Sequence, residues 1–176
     1  MNETSPSCTF ISRAEAEAHW PVQYSHLISI SDDAEDQAAI DETRKKSVSY
    51  HHFVDACYDE VVIEIYGCDF ERNYADYFIQ SKADDLRARI RTIASVGDPI
   101  VVNCQAGRSR SAAVARYIAE HHGYQLDKPT PDANLCVYRM LARDVSLLAV
   151  YQAAKAPLQR DNPKRGLLAA IKSLFT

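Results

Sequence analysis

The sequence predicts an α/β fold, a single domain over residues 1–176 with a central mixed, largely parallel sheet and helices on both of its faces. Short apolar runs of strand length alternate along the chain with longer amphipathic segments, which is typical of a sheet covered by helices. The chain has 176 residues, of which 47% are hydrophobic. This length supports one well-filled core and is too short for two ordinary domains.

Five apolar runs predict the strands of this sheet. They are Thr9–Ile11, His26–Ile30, Val48–Val54, Val61–Tyr66 and Pro99–Asn103. A first helix is predicted at Ser12–Trp20, with Ser12 as its N-cap. Residues 32–46 carry many charges and are predicted to form a surface excursion with at most a short helix. The basic run 44–46 at its end is expected to be solvated, with contact to an anionic partner as the alternative.

Four helices are predicted in the second half of the chain from a buried face or a capping residue. They are Tyr74–Val96, a helix from about Arg108–Ser111 to His122, Thr130–Ala142 and Asp144–Ala154. Gly97 and Gly123 end the first two. The tail at 163–176 is also amphipathic and predicts a final helix packed on the domain, with docking on a membrane or a partner as the alternative.

The composition excludes several classes of function. A formal net charge of −4 argues against a nucleic-acid-binding protein, which depends on a broad basic field. No apolar run approaches the roughly 20 residues needed to span a membrane, and the first residues lack the features of a signal peptide. We therefore expect a cytoplasmic protein.

Neither a disulfide framework nor a metal site is predicted. The five cysteines are odd in number, widely scattered and without a Cys-x-x-Cys pair, which fits reduced thiols. The histidine pairs at 51–52 and 121–122 do not form a chelate by themselves, because adjacent side chains on a strand or a helix point in different directions. We expect no metal.

The most informative motif joins an apolar strand to a helix through a short loop. It runs from Ile100 to Ser111, with Cys104 and Arg110 six positions apart. A loop that curls between them can point successive backbone N–H groups at one anion, as helix N-termini do. Arg110 adds a planar fork of donors that fits two phosphate oxygens. The same positive surroundings lower the pKa of a thiol, so one loop explains both phosphate binding and an ionised Cys104.

These residues resemble the signature of the cysteine-dependent protein tyrosine and dual-specificity phosphatases, which reads His-Cys, five residues, Arg, then Ser or Thr. Cys104, Gly107, Arg110 and Ser111 match it in register. The loop is most similar to that of small bacterial-type predicted tyrosine phosphatases, and a looser likeness extends from about Leu27 to Tyr151. The resemblance implies a phosphatase-type α/β domain that needs no cofactor.

One position departs from the family pattern. The family's His before the nucleophile supports the loop by hydrogen bonding and helps to set the thiolate pKa. This chain has Asn103 there, which can hydrogen-bond but carries no titratable charge. We expect reduced activation of the thiolate.

The resemblance also implies the roles of the loop residues. Cys104 is the nucleophile, Arg110 holds the phosphate, and the Ser111 hydroxyl stabilises the thiolate when the intermediate breaks down, with helix capping as its alternative role. Ser109 is expected to contribute only its backbone N–H, and Arg108 to place its side chain on the rim. The phosphate would be bound by Gln105, Ala106, Gly107, Arg108, Ser109 and Arg110.

The general acid is less clearly marked. In the family, a loop after the strand that precedes the long helix carries an aspartate, and Asp69 follows the predicted strand Val61–Tyr66 in that way. Capping of the next helix is the alternative role of Asp69. Asp76 is the reserve candidate, while Asp55 and Asp59 are less favoured because they precede the predicted strand.

The sequence therefore predicts a phosphate monoester hydrolase that acts through a cysteinyl-phosphate, with phosphotyrosine in a protein as the favoured substrate and a small phosphate ester as another. The alternative is a phosphate-reading binding module, a pseudophosphatase with negligible turnover. Sulfur or arsenate chemistry is a third possibility, for which Cys68 is the one visible candidate for an additional thiol. Cys68 is otherwise expected to be a small buried residue.

Overall fold

A five-stranded parallel sheet forms the centre of the molecule. The computed structural model describes residues 5–18 and 24–155. The strands are β1 (Ser7–Ser12), β2 (His26–Ser31), β3 (Ser47–His52), β4 (Ile100–Cys104) and β5 (Gln125–Leu126). Their order is β3-β2-β4-β1-β5, and every pair is parallel. The sheet of the predicted α/β domain is thus parallel throughout its described part.

Helices form most of the crossovers between these parallel strands, while β2 and β3 are joined by the segment 32–46 with only a 3₁₀ turn at Glu42–Arg44. The helices are α1 (Arg13–Glu17), α2 (Glu60–Tyr66), α3 (Phe70–Asn73), α4 (Gln80–Ala94), α5 (Arg110–His122), α6 (Leu135–Leu141) and α7 (Val145–Lys155). Among the helices of the described residues, none combines the length and the apolar character needed to cross a bilayer.

The two faces of the sheet bury cores of different size. On β4, Ile100, Val102 and Cys104 belong to the large core, which α4 and α5 cover. Val101 points to the other face and packs in a small cluster with Ile11, Ala16 and Leu27. Residues of the 32–46 excursion also pack there, because Ala38 is buried and Ile40 contacts that cluster. Part of this charged segment therefore covers the second face of the sheet.

Parallel pairing brings the carboxyl ends of four strands to one edge of the sheet. Ser12 at the end of β1 pairs with Cys104 at the end of β4, and β2 and β3 end together at Ser31 and His52. Connections that leave this edge are the usual place for ligand sites in α/β proteins. The functional loop begins there.

Four of the five predicted strands are present as β1 to β4, but the predicted strand Val61–Tyr66 is wrong because these residues form α2. Asp59 caps this helix by accepting a hydrogen bond from the Val62 N–H at 3.1 Å. Only Ile63 of the helix is buried, while Ile65 is 73% exposed. A short apolar run cannot be assigned from periodicity alone, and the cap decides in favour of a helix.

Other helix boundaries differ more modestly. The helix predicted to start at Tyr74 starts at Gln80, and the one predicted to start at Thr130 starts at Leu135 with Asn134 as its cap. Ser12 caps α1 as predicted, and Asp144 caps α7 by accepting from the Leu147 N–H at 3.0 Å. Residues 19–20 of the first predicted helix and the tail at 163–176 lie outside the described residues.

The prediction that the chain has no disulfide is wrong. Cys57 and Cys136 form one, across 79 residues and with their Cα atoms 5.3 Å apart. Parity and spacing could not reveal it, because each cysteine lies in a separate element and only the packing of α6 against the loop after β3 brings them together. Cys8, Cys68 and Cys104 are free thiols.

Candidate active site

The site is the loop between β4 and α5. Cys104 is the last residue of β4 and is 1% exposed, while Arg110 is the first residue of α5. The small side chains of Ala112, Ala113 and Ala115 are fully buried, which lets α5 lie close to the sheet. A strand, a tight turn and a helix N-terminus thus place the thiol at the floor of the loop.

Gly107 fixes the path of the loop. Its φ is +67°, and a Cβ at this position would lie 2.2 Å from the Ser12 nitrogen and 2.4 Å from the Ile11 carbonyl carbon. The loop is therefore packed directly on the backbone at the end of β1, where a side chain cannot fit. The Arg13 N–H, directly after β1, donates to the Gln105 carbonyl at 3.3 Å, which is a second contact between the loop and the end of β1.

The loop stabilises Cys104 as a thiolate. Burial of the thiol works against ionisation, but a side-chain hydrogen bond with Ser111 and backbone hydrogen bonds from the loop outweigh it, so the pKa of Cys104 is lowered. The Ser111 Oγ lies 3.1 Å from the Cys104 Sγ. The backbone donors belong to Ser111, Gly107 and Arg108. Because these N–H groups point at the sulfur, they also point at an anion that is bound to the sulfur.

Arg110 is held in place by groups from two other strands. Its side chain is 5% exposed, and its Nη1 donates to the Asp32 Oδ1 at 2.5 Å and to the Phe53 carbonyl at 2.6 Å. Its Nε is buried and has no hydrogen-bond partner among the described residues. A buried donor is normally hydrogen-bonded, so this Nε is available to an acceptor.

Asp55 is the carboxylate that the structure brings to the loop. It follows the end of β3, and its Oδ1 accepts from the Ser109 Oγ at 2.7 Å and from the Asn134 Nδ2 at 2.8 Å. The sequence predicts no partner for the Ser109 hydroxyl, and the structure places it on Asp55. This hydroxyl therefore does not cap α5.

Asp69 lies elsewhere, and the placement argument for it fails with the strand. It belongs to a 3₁₀ helix at Gly67–Asp69 between α2 and α3, and its side chain pairs with Arg72 at 3.1 Å. With Val150 and Ala153 it lines a groove between α2 and α7. Its described contacts include no residue of the 104–111 loop.

Asp59 and Asp76 are the other candidates for the general acid. Asp59 is the cap of α2. The Asp76 carbonyl accepts from the Val54 N–H at 2.9 Å, so its backbone lies beside the segment that carries Asp55. The sequence analysis ranks Asp55 low because it predicts a strand at Val61–Tyr66, where the structure has α2. The usable signal is the predicted strand Val48–Val54, which ends directly before Asp55.

Asn103 does not support the loop by a hydrogen bond as expected. Successive side chains on a strand alternate, so Asn103 and Cys104 point to opposite faces of the sheet. Asn103 is 1% exposed, and neither its side-chain nitrogen nor its oxygen has a hydrogen-bond partner among the described residues.

A cleft of about 430 Å³ lies beside the loop, lined by Asp55, Ala106, Arg108, Ser109 and Asp132. Arg108 is exposed, so its side chain lies on the rim, as the sequence predicts. Three of these residues belong to the 104–111 loop, so the cleft adjoins the loop and carries one cationic side chain and two carboxylates.

The remaining candidates do not join this site. In the described parts of the chain, no group of three or more His, Cys, Asp or Glu side chains is arranged to hold a metal ion. His52 bonds to Ser31 at 3.0 Å, and burial lowers the pKa of His51 to about 4. Cys68 is exposed, contrary to the expected burial, and lines the same groove as Asp69.

Neither a family model nor a curated protein sequence matches this chain. Among solved structures, human DUSP28 is similar with a TM-score of 0.41 and 18% identity, over 88% of this chain and 94% of that one. A variant of the same human protein, in which a tyrosine is replaced by histidine, has a TM-score of 0.40 and 18% identity, over 88% and 92%.

Replacement of Gly107 by alanine should abolish the fit of the loop on β1. A Cβ there meets backbone, which cannot move aside, so we expect Gly107→Ala to weaken binding of inorganic phosphate by about tenfold or more. Gly123→Ala is the matched control, because Gly123 has a φ of +72° with open space around the added carbon. Calorimetric titration measures binding, and urea unfolding shows whether both variants fold. Equal phosphate binding by the two variants would contradict this account of the loop.

Removal of the Ser111 hydroxyl should make Cys104 harder to ionise. The hydrogen bond from Ser111 lowers the pKa of Cys104, so its loss in Ser111→Ala raises that pKa and moves the alkylation profile to higher pH. Well below the midpoint, the rate of alkylation by iodoacetamide should fall roughly tenfold, the value of one hydrogen bond to a charged group. Ser109→Ala is the control, since its hydroxyl donates to Asp55. Identical profiles for wild type and Ser111→Ala would refute the assignment.

Proposed function

We propose that this protein is a phosphate monoester hydrolase, a protein tyrosine or dual-specificity phosphatase that acts through a cysteinyl-phosphate. The observation that carries the proposal is the Cys104 thiol, which lies 3.1 Å from the Ser111 hydroxyl; against the effect of burial, hydrogen bonds from that hydroxyl and from N–H groups of the loop that would bind the phosphate lower its pKa. Such a thiolate is both the strongest nucleophile available at the site and the centre of an anion-binding turn.

In the first step the Cys104 thiolate attacks phosphorus, an S–P bond forms, and the bond from phosphorus to the ester oxygen breaks. The equatorial oxygens lie among the N–H groups of the loop, and Arg110 donates to two of them. The contacts of Arg110 with Asp32 and the Phe53 carbonyl support this role, because they orient the guanidinium before substrate binds.

The leaving oxygen needs a proton, and we propose Asp55 as its donor in place of Asp69. The Ser109 and Asn134 side chains both donate to the Oδ1 of Asp55, which leaves its Oδ2 to carry the proton toward the cleft. In the second step Asp55 removes a proton from water, the water oxygen attacks phosphorus, and the S–P bond breaks. The Ser111 hydroxyl stabilises the departing thiolate.

The substrate class that we propose is phosphotyrosine in a protein, with phosphoserine, phosphothreonine or a small phosphate ester as the alternatives that the assay must compare. Thiolate, loop, acid and water supply every step, so the proposed reaction uses no cofactor. The proposed site of action is the cytoplasm, where the Cys104 thiol stays reduced.

The activity itself is tested with an aryl phosphate in a steady-state assay across pH. We expect turnover by the wild type and its loss in Cys104→Ser, while inorganic phosphate still binds to the variant because the N–H groups and Arg110 remain. Retained hydrolysis by Cys104→Ser would contradict the cysteinyl-phosphate mechanism. Phosphate binding by a wild type without turnover would instead identify a phosphate-reading module.

The choice between the two aspartates is tested by leaving-group dependence. General acid catalysis contributes about 10²–10⁴-fold, and more for a basic leaving group. Asp55→Asn should therefore reduce hydrolysis of phenyl phosphate about 100-fold or more, reduce that of an activated nitrophenyl ester much less, and remove the fall in rate on the basic side of the pH profile.

Asp69→Asn is the matched control, because Asp69 is an exposed aspartate whose described contacts lie outside the loop. This variant should hydrolyse both substrates at the wild-type rates. If Asp69→Asn selectively slows hydrolysis of phenyl phosphate while Asp55→Asn behaves like the wild type, the general acid is Asp69, as the sequence predicts.

A further inference from the structure

The Cys57–Cys136 disulfide joins the two elements that hold Asp55. Cys57 lies two residues after Asp55 in the loop that follows β3, and Cys136 lies two residues after Asn134 at the start of α6. Asn134 in turn donates from its Nδ2 to the Asp55 Oδ1 at 2.8 Å and to the Ala56 carbonyl at 3.3 Å. The disulfide and these two hydrogen bonds thus join residues 55–57 to residues 134–136 and hold the Asp55 carboxylate between them.

The segment that carries Asp55 is anchored at its two ends. Residues 54–59 form neither helix nor strand, and Asp55 itself is exposed. Before it, the Val54 N–H donates to the Asp76 carbonyl at 2.9 Å and the Phe53 carbonyl accepts from Arg110 at 2.6 Å; after it, the buried Tyr58 donates from its hydroxyl to the Phe78 carbonyl at 2.8 Å. Between these two points, the disulfide is the covalent restraint that keeps the loop on α6.

We propose that the Cys57–Cys136 disulfide is a redox-controlled positioning device for Asp55. In the oxidised form the loop is held on α6, and Asp55 receives both of its hydrogen bonds. In the reduced form the loop is released from α6, and Asp55 loses its fixed orientation toward the cleft. This inference rests on the proposed function, since it concerns the acid of that reaction.

The two sulfurs differ in access, which gives the exchange a direction. Cys57 is exposed, whereas Cys136 is 1% exposed. An external thiolate therefore attacks the Cys57 sulfur, the S–S bond breaks, and Cys136 leaves as a thiolate. The Tyr58 N–H lies 2.9 Å and the Tyr58 carbonyl oxygen 2.8 Å from the Cys136 Sγ, so once this thiolate takes a proton from water it has both a donor and an acceptor beside it.

The reaction is balanced by a second exchange. A further external thiolate attacks the mixed disulfide on its external sulfur and frees Cys57, so two external thiols become one external disulfide while the protein gains two thiols. The reverse reaction needs a low-molecular-weight disulfide as the oxidant. Cys104 is not part of the Cys57–Cys136 pair and is a reactant in neither step; because its thiolate can itself form a mixed disulfide with oxidised glutathione, mass spectrometry must show it free in each buffer.

The test compares the full-length wild type and Cys57→Ser in glutathione buffers of different reduced-to-oxidised ratio. We expect the wild type to lose about tenfold in its rate on phenyl phosphate on reduction, but less than about twofold on an activated nitrophenyl ester, because the acid matters chiefly for the poor leaving group. Cys57→Ser should show the reduced behaviour in every buffer. Thiol counting by mass spectrometry follows the disulfide directly.

Two controls separate positioning from a general effect on folding. Cys68→Ser removes an exposed thiol that is free in the structure and should keep the full redox response. In an Asp55→Asn background, reduction should change neither the rate on phenyl phosphate nor that on the nitrophenyl ester, because this variant lacks the general acid whose position the disulfide controls. Hydrogen exchange of the 55–58 amides should quicken on reduction, while exchange within α5 stays unchanged.

An unchanged ratio of the two substrate rates in the reduced and oxidised wild type, with the disulfide shown to open, would overturn the inference. A thiol count showing that the oxidised chain lacks this disulfide would do the same. If Cys104-dependent turnover is absent in all buffers, the proposed function fails. The exchange measurement still decides whether the disulfide orders the loop.

Discussion

The packing of Gly107 on the end of β1 is the contact on which the rest of the site depends. Without a Cβ, the loop approaches the Ile11 and Ser12 backbone so closely that its only path is a tight curl over Cys104. That curl aims the N–H groups of Gly107 and Arg108 at the sulfur. The same constraint thus shapes the nucleophile and the anion-binding turn, so a change in the packing affects both.

The electrostatics of the site balance burial against hydrogen bonding. A thiol as buried as Cys104 is normally harder to ionise, and several hydrogen bonds are needed to reverse that tendency. Arg110 is nearly as buried, and the carboxylate of Asp32 compensates its charge. Because Asp32 belongs to the charged excursion, that segment has a role in the site as well as on the second face of the sheet.

What the sequence predicts well is local. The loop from Cys104 to Ser111 lies on contiguous residues, and the Ser12 and Asp144 caps depend on neighbours within a turn. The errors concern features that need tertiary information. Val61–Tyr66 is too short for periodicity to separate a strand from a helix. Cys57 and Cys136 are paired only by packing across 79 residues.

The proposed acid shows how one local error affects a later assignment. The sequence favours Asp69 because this residue follows a run with the composition of a strand, and that run is α2. Asp55 reaches the loop because β3 and β4 flank β2 in the sheet and end at the same edge. Strand order is a property of the whole fold, so no spacing rule links Asp55 to Cys104. Ser109 and Asn134, which hold Asp55 by hydrogen bonds, are also far from it in the sequence, at 54 and 79 positions. A carboxylate fixed by such distant partners depends on the whole domain being folded, whereas the anion-binding turn depends on one loop and the strand end beneath it. Binding of phosphate should consequently tolerate changes in α6 that proton transfer does not.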